Sequence, residues 1–174
     1  MSRRRWVQRT SWIYTEVMRN NPSLVKMYFL YFGLPSLGLY PSAFVCGVIA
    51  LIIHNAAYMI DILHGGITAV PRGQLRAASS LGMRPWQTYS YVILPQAFRN
   101  ALPALTNNWV EILKDTSITC SIAVTELLYV TNTLIAGVAR PIEFLGMAGL
   151  IYLGLNFFLS GSLKFLEGRY GYVR

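Results

Sequence analysis

Four stretches of the chain are apolar over lengths that matter for a bilayer. Residues 24 to 39 are apolar apart from Lys26 near one end. Residues 42 to 63 carry one acid, Asp61, at the far end, and residues 141 to 163 carry one, Glu143, near the start. Crossing about 30 Å of hydrocarbon takes roughly 20 helical residues at about 1.5 Å each. The second and third stretches meet that length. The first must extend past Leu39 or sit in a thin region. A fourth lies between residues 101 and 137 and reads in two ways. Hydropathy favours 116 to 137, which contains only Glu126. A span over 101 to 122 would instead put Glu111, Lys114 and Asp115 inside the membrane. Charges there need partners or a wet cavity. The pattern predicts an all-α, multi-span transmembrane helical bundle of about four spans, with residues 1 to 174 as a single domain.

Composition agrees. Apolar residues make up 54% of the chain and charged residues 13%, against about 25% charged in a typical soluble domain. The net charge is +8, and its placement is more telling than its size. Arg3, Arg4, Arg5, Arg9 and Arg19 precede the first span. Arg72, Arg76, Arg84 and Arg99 fall between the second and the next. Lys164, Arg169 and Arg174 follow the last. Twelve of the fifteen basic residues therefore fall on one face of a four-span protein. The positive-inside rule makes that face, and both termini, cytoplasmic. The positive charge is then read by the lipid bilayer and not by nucleic acid. No apolar run follows the first arginines directly, so the start is not a signal peptide.

Enzyme chemistry finds no foothold. Cys46 and Cys120 lie in apolar segments without Cys-x-x-Cys spacing and read as packed thiols. His54 and His64 are too few for a metal site. No phosphate loop, Gly-x-Ser-x-Gly or His-Glu-x-x-His is present. No catalytic residue, cofactor or metal is expected.

Residues 64 to 100 form an unusually long polar loop between spans. Gly65-Gly66 would loosen the chain just past the membrane. Pro71 suits a first helical turn, Gln74 to Leu81 is a good helix former, and Gly82 fits a left-handed cap. Pro85 can start a second helix that runs to Leu94 and stops at Pro95. A third piece can run from Gln96 to Leu102, ending before Pro103. Leu75, Ala78 and Leu81 share a face on the first helix, and Trp86, Tyr89 and Ile93 form a stripe on the second. These faces either pack back on the protein's own spans or seat a protruding helix in a partner's groove.

This loop resembles the signature loop of inner-membrane permease subunits of binding-protein-dependent ABC importers, in the branch that takes up polar amino acids. The matching residues are Arg76-Ala77-Ala78, then Gly82, then Val92-Ile93-Leu94-Pro95. The likeness extends upstream through Arg19-Asn20-Asn21-Pro22 and Tyr31-Phe32-Gly33-Leu34-Pro35, and downstream through Lys114-Asp115-Thr116-Ser117. It implies the ABC importer permease fold and a bacterial inner membrane location. It also implies a second permease copy or paralogue, ABC ATPase subunits on the cytoplasmic face, and an extracytoplasmic substrate-binding protein. The loop would couple to the ATPase through Arg76, Ala77, Ala78, Gly82, Arg84, Pro85, Trp86 and Thr88. ATP hydrolysis would belong to the separate ATPase.

The resemblance also favours the span over 101 to 122, followed by a short helix near the outer face, with Glu111 and Lys114 able to neutralise each other. Candidate path residues are Asn55, Asp61, Glu111, Lys114, Asp115, Thr116 and Ser117, because fixed acids and bases suit a substrate that carries both charges. His54 and Asn55 read equally well as helix-to-helix hydrogen-bonding groups. Glu126 reads as facing water, and Trp12, Tyr14, Tyr40 and Tyr170 as interface anchors. Three departures stand out: Arg76 where the family has Glu, Asp61 and His64 where it has Glu and Arg, and no span ahead of Trp12 to Pro22. The last two readings of the chain are therefore a transporting permease subunit, or a shortened, non-transporting remnant or assembly partner.

Overall fold

The structure is a computed structural model that describes residues 5 to 170, the side chain of Tyr170 excepted. Arg3, Arg4 and Arg174 of the charge pattern lie outside the described residues. The elements are α1 (Arg5–Asn20), α2 (Ser23–Tyr28), α3 (Ala43–Thr68), α4 (Arg72–Ser80), α5 (Pro85–Gln87), α6 (Leu94–Asp115), α7 (Leu127–Val138) and α8 (Pro141–Tyr170). The described residues contain no strand. The helices α3 and α6 form the central pair; α1 and α2 pack on α3, and α8 packs on α6 and α7.

Two helices, α3 and α8, are long and apolar enough to cross a membrane. A third crossing arises if the helical run 85 to 122 and α7 count as one span broken by a 47° bend. The stretch expected as the first span gives only a short helical run, ending at Leu37. By length and composition the described residues thus hold two spans, or up to three, where about four were expected. Near 101 to 137, the long helix occupies the earlier of the two expected positions, and α7 is a separate short helix.

The prolines shape this run without breaking it. Helical turning does not stop at Pro95 or before Pro103; both lie in α6. For Pro95 the reason is a wide π-helical turn at Thr88–Ile93. A proline cannot donate to the carbonyl four residues back, and its ring collides with that carbonyl. For Pro95 that residue is Tyr91, inside the π turn. Pro35 repeats the arrangement: Tyr31 lies inside a second π turn, Phe29–Gly33, that continues α2. Widening the turn makes room for each ring.

Hydroxyls shape the other end. After α6 the chain tightens into a 3₁₀ helix, Thr116–Ile122. The side chains of Thr116, Ser117, Thr119 and Ser121 each donate to the carbonyl three residues back, each at 2.7 Å. That pattern offers the backbone a three-residue alternative to the α repeat. Ala123, at φ 61°, ends the turn. Glu126 then caps α7, accepting from the Leu128 and Tyr129 amides at 2.8 and 2.6 Å and from the Tyr152 hydroxyl at 2.8 Å. Its expected role as a water-facing acid is replaced by that of a strap between α7 and α8.

Two apolar clusters hold the ends of the bundle. Met27, Cys46, Ala50 and Ile122 join α2, α3 and the 3₁₀ turn. Val70, Ile93 and Ala97 join the end of α3's chain to the π turn and α6. Between them α3 and α6 approach closely at Gly66. A Cβ there would stand 2.5 Å from the Ala97 carbonyl oxygen and 2.9 Å from the Ala101 Cβ. Gly65-Gly66 therefore does not loosen the chain. Both residues lie inside α3, and Gly66 is the contact point that lets the two helices meet, as small residues do between membrane helices. By contrast α8 is apolar all round, with only Ala148 and Leu163 buried among its described side chains. A helix of that kind faces lipid or other apolar surface.

Gly66→Val is expected to lower stability by about 1–3 kcal/mol, the usual cost of overpacking. Gly65→Ala, where an added Cβ meets nothing within 4 Å, should be neutral or slightly stabilising. Thermal unfolding of the two variants in detergent measures the difference.

Candidate functional site

Helical spacing places three polar side chains of α3 and three of α6 across from one another. His54, Asn55 and Tyr58 lie within about one turn of α3. Asn108, Glu111 and Asp115 recur at three- and four-residue intervals on α6 and so share a face. Together they line a cavity of about 230 Å³ between the two central helices. That is room for several waters or a small polar molecule. Asn55 and Asn108 are buried, and the Asn108 amide nitrogen donates to Asn55 Oδ1 at 3.4 Å. Asn108 Oδ1 is buried without a partner among the described residues. Glu111 accepts from Lys114 Nζ at 2.8 Å, a pair open to its surroundings on both sides. The Asp115 carboxylate has no hydrogen-bond partner among the described residues and lies within electrostatic reach of His54. The cavity thus offers spare acceptors at Asn108 and Asp115 in an otherwise closely packed interface.

Of the seven expected path residues, Asn55, Glu111 and Asp115 line this cavity. The other four do not. Asp61 is tied to Arg19 of α1, whose guanidinium also lies 5.3 Å over the Tyr58 ring. The Thr116 and Ser117 hydroxyls are engaged by their own backbone in the 3₁₀ turn. Lys114 is turned to Glu111, which confirms the expected pairing but keeps the amine outside the cavity lining. Tyr58 and Asn108 were not anticipated from the sequence. Their signal was available: 55 and 58 on one helix, and 108, 111 and 115 on the other, are spacings that select one helical face. Tyr14 is no interface anchor, because its hydroxyl donates to the Ile53 carbonyl at 2.8 Å inside the bundle.

The loop between α3 and α6 forms a second feature. Gly82 has φ +71° and ends the turn after α4 in the left-handed conformation expected of it. Arg76, Ala77, Gly82, Arg84, Pro85 and Trp86 are exposed. Ala78 and Thr88 are each 3% exposed and pack inward, so they cannot touch a partner directly. Leu75, Ala78 and Leu81 do not act as one face: Leu81 is 81% exposed at the tip, while Leu75 borders a small cavity with Ile67, Val70 and Tyr89. The stripe of Trp86, Tyr89 and Ile93 also fails. The π turn shifts the phase, so Ile93 is buried and Trp86 meets Tyr91 instead, five residues on, with ring centroids 5.8 Å apart.

An all-α bundle with membrane-length helices, a polar cavity between its central pair and an exposed helical loop between them defines a membrane transport protein. The chain belongs to the family described as binding-protein-dependent transport system inner membrane components, whose model matches residues 1–172. It is 35% identical to the octopine transport system permease protein OccM of Rhizobium meliloti, over 96% of this chain and 72% of that protein. It is 36% identical to the glutamine transport system permease protein GlnP of Escherichia coli (strain K12), over 90% of this chain and 73% of that one. Among solved structures it superposes on an amino acid ABC transporter crystallised with histidines at a TM-score of 0.91, with 36% identity, covering 97% of this chain and 79% of that one. The fold is shared as well with the methionine ABC transporter MetNI in an inward-facing conformation, at a TM-score of 0.80 and 13% identity.

The paired asparagines give a direct energetic check. Asn55→Leu removes the acceptor of the Asn108 amide and should cost about 1 kcal/mol. Adding Asn108→Leu should recover most of that loss, because two matched apolar groups leave nothing unsatisfied. A double-mutant cycle by thermal unfolding reads the coupling.

Proposed function

We propose that this chain is the permease subunit of an ATP-driven amino acid importer, and that the cavity between α3 and α6 is part of its substrate path. The observation that carries this reading is the pair of spare acceptors, Asn108 Oδ1 and the Asp115 carboxylate, beside the open cavity. Burying an unpartnered polar group costs free energy. A ligand ammonium would satisfy both acceptors. Relatives that carry octopine and glutamine fit a polar, ammonium-bearing substrate. The transient partner would bind and leave, as a path requires, because the acceptors are few and the cavity is small.

The exposed loop is the coupling element in this reading. Its apolar tip, Leu81 with Trp86 beside the basic Arg76 and Arg84, is the part of the loop free to enter a groove on an ATPase. Arg76 places a positive charge on that surface, so the matching ATPase groove would carry acidic side chains. The basic residues before α2, along the loop and at the end of α8 support a cytoplasmic placement of this face and of both chain ends. A second permease subunit would complete the path, and an extracytoplasmic binding protein would deliver the substrate. The alternative of a non-transporting remnant has no observation in its favour.

Two variants separate the parts of this proposal. Asp115→Asn should lower uptake of labelled amino acids at least tenfold in reconstituted vesicles, while the complex still assembles; full uptake would count against the cavity as the path. Leu81→Asp should leave the stability of the isolated permease unchanged, because the side chain is 81% exposed, yet abolish co-purification with the ATPase. Retained co-purification with normal substrate-stimulated ATP hydrolysis would remove the loop tip from the contact.

A further inference from the structure

The Lys26 ammonium is surrounded by acceptors, one of them on the His54 ring. Its Nζ lies 2.7 Å from the Met18 carbonyl oxygen, 2.7 Å from the Asn21 carbonyl oxygen and 2.8 Å from His54 Nδ1. An ammonium has three protons and no lone pair, so three acceptors use it completely. An amine's ordinary affinity for a proton exceeds an imidazole's by about four pK units, which keeps the shared proton on lysine. In that arrangement His54 Nδ1 accepts, and the ring proton sits on Nε2. Lys26 itself is not part of the cavity lining. It borders a separate apolar cavity with Met18, Asn21 and Ile53, whereas His54 lines the polar one. His54 Nε2 has no hydrogen-bond partner among the described residues.

We propose that Lys26 is a positioning residue, which fixes the His54 imidazole as the Nε2–H tautomer and so supplies the polar cavity with a donor for the carboxylate of a bound amino acid. This rests on the reading of the cavity as an amino acid path. It adds the missing half of the recognition chemistry. Asn108 Oδ1 and Asp115 can only accept and would hold the ammonium. His54 Nε2–H is then the group that can donate to the carboxylate. The cavity becomes complementary to a zwitterion, with donor and acceptors coming from α3 and α6 respectively. Lys26 also links the α1–α2 junction to α3, through the Met18 and Asn21 carbonyls, so the tautomer is tied to the position of that junction. The faces packed around His54 carry Lys26 from α2, Tyr58 from its own helix, and Glu111 and Asp115 from α6. The competing arrangement is the Nδ1–H tautomer, with that proton directed at the Met18 carbonyl, which lies against both side chains.

The test is nitrogen NMR of the permease complex in lipid nanodiscs with ¹⁵N-labelled histidine, where the permease has only His54 and His64. His64→Gln assigns the signals. The expected result is a neutral His54 with its proton on Nε2. Lys26→Met should convert it to a mixture of tautomers. An equimolar mixture of the common L-amino acids should shift the Nε2 signal in the parent protein. In uptake assays Lys26→Met should raise the half-saturation concentration on the order of tenfold with the maximal rate retained. A proton on Nδ1 of His54 in the parent protein overturns the proposal, and so does a tautomer indifferent to Lys26→Met. A correct tautomer whose Nε2 signal ignores the amino acids also overturns it. If Asp115→Asn still loses uptake in that case, the path stands and only the role of His54 falls. If Asp115→Asn transports normally, the path reading itself has failed.

Discussion

The close approach of α3 and α6 at Gly66 is the constraint from which the rest of the bundle follows. A backbone carbonyl of α6, that of Ala97, sits where a side chain on Gly66 of α3 would stand. In a membrane no hydrophobic effect pulls helices together against lipid, so contact at this distance supplies the packing that does. Once the two helices meet there, their polar faces are opposed about three turns further along α3. Asn55 pairs with Asn108, and the cavity opens beside them. The same contact leaves the 69 to 93 segment to span the gap between the two helices. That segment is therefore held at both ends by helices that touch, through Val70, Ile93 and Ala97.

Such an arrangement joins the loop to the cavity through one helical run. The π turn at Thr88–Ile93 lies between the exposed tip and α6, and α6 carries half of the cavity lining. Wide turns of this kind mark places where a helix can change its phase. A displacement of the loop tip would reach Asn108, Glu111 and Asp115 through a continuous helix. On the other flank, Arg19 with Asp61, and Lys26 with His54, hold α1 and α2 against α3. The charges among the described residues are thus arranged as ties more than as a lining of the cavity. That is why only Glu111 and Asp115, of the five candidate charged and hydroxyl residues downstream of 110 and Asp61 upstream, reach the cavity.

Much was legible in the chain's own pattern. Runs of apolar residues long enough to cross a bilayer determined the class, since nothing else accommodates segments like α3 and α8. Gly82 marked its left-handed turn, and Glu111 and Lys114 their pairing, because both depend on local backbone geometry. The earlier position of the third span also agreed with the sequence, on the strength of a family resemblance; hydropathy alone pointed the other way. Where local rules met tertiary context they gave way. Pro95 and Pro103 both stay inside a helix, the first because a π turn absorbs its ring. Gly65-Gly66 continues a helix because a neighbour needs the space.

The sequence by itself therefore determined that this is a helical membrane protein and where the long apolar helices α3 and α8 lie, because lipid imposes those requirements residue by residue along one dimension. Only the tertiary structure decided which polar groups meet. Thr116 and Ser117 turned to their own backbone, Asp61 to Arg19, and His54 to Lys26 across 28 positions of sequence. Those outcomes depend on the angle and register of one helix against another, and a side chain's type and spacing do not carry that information.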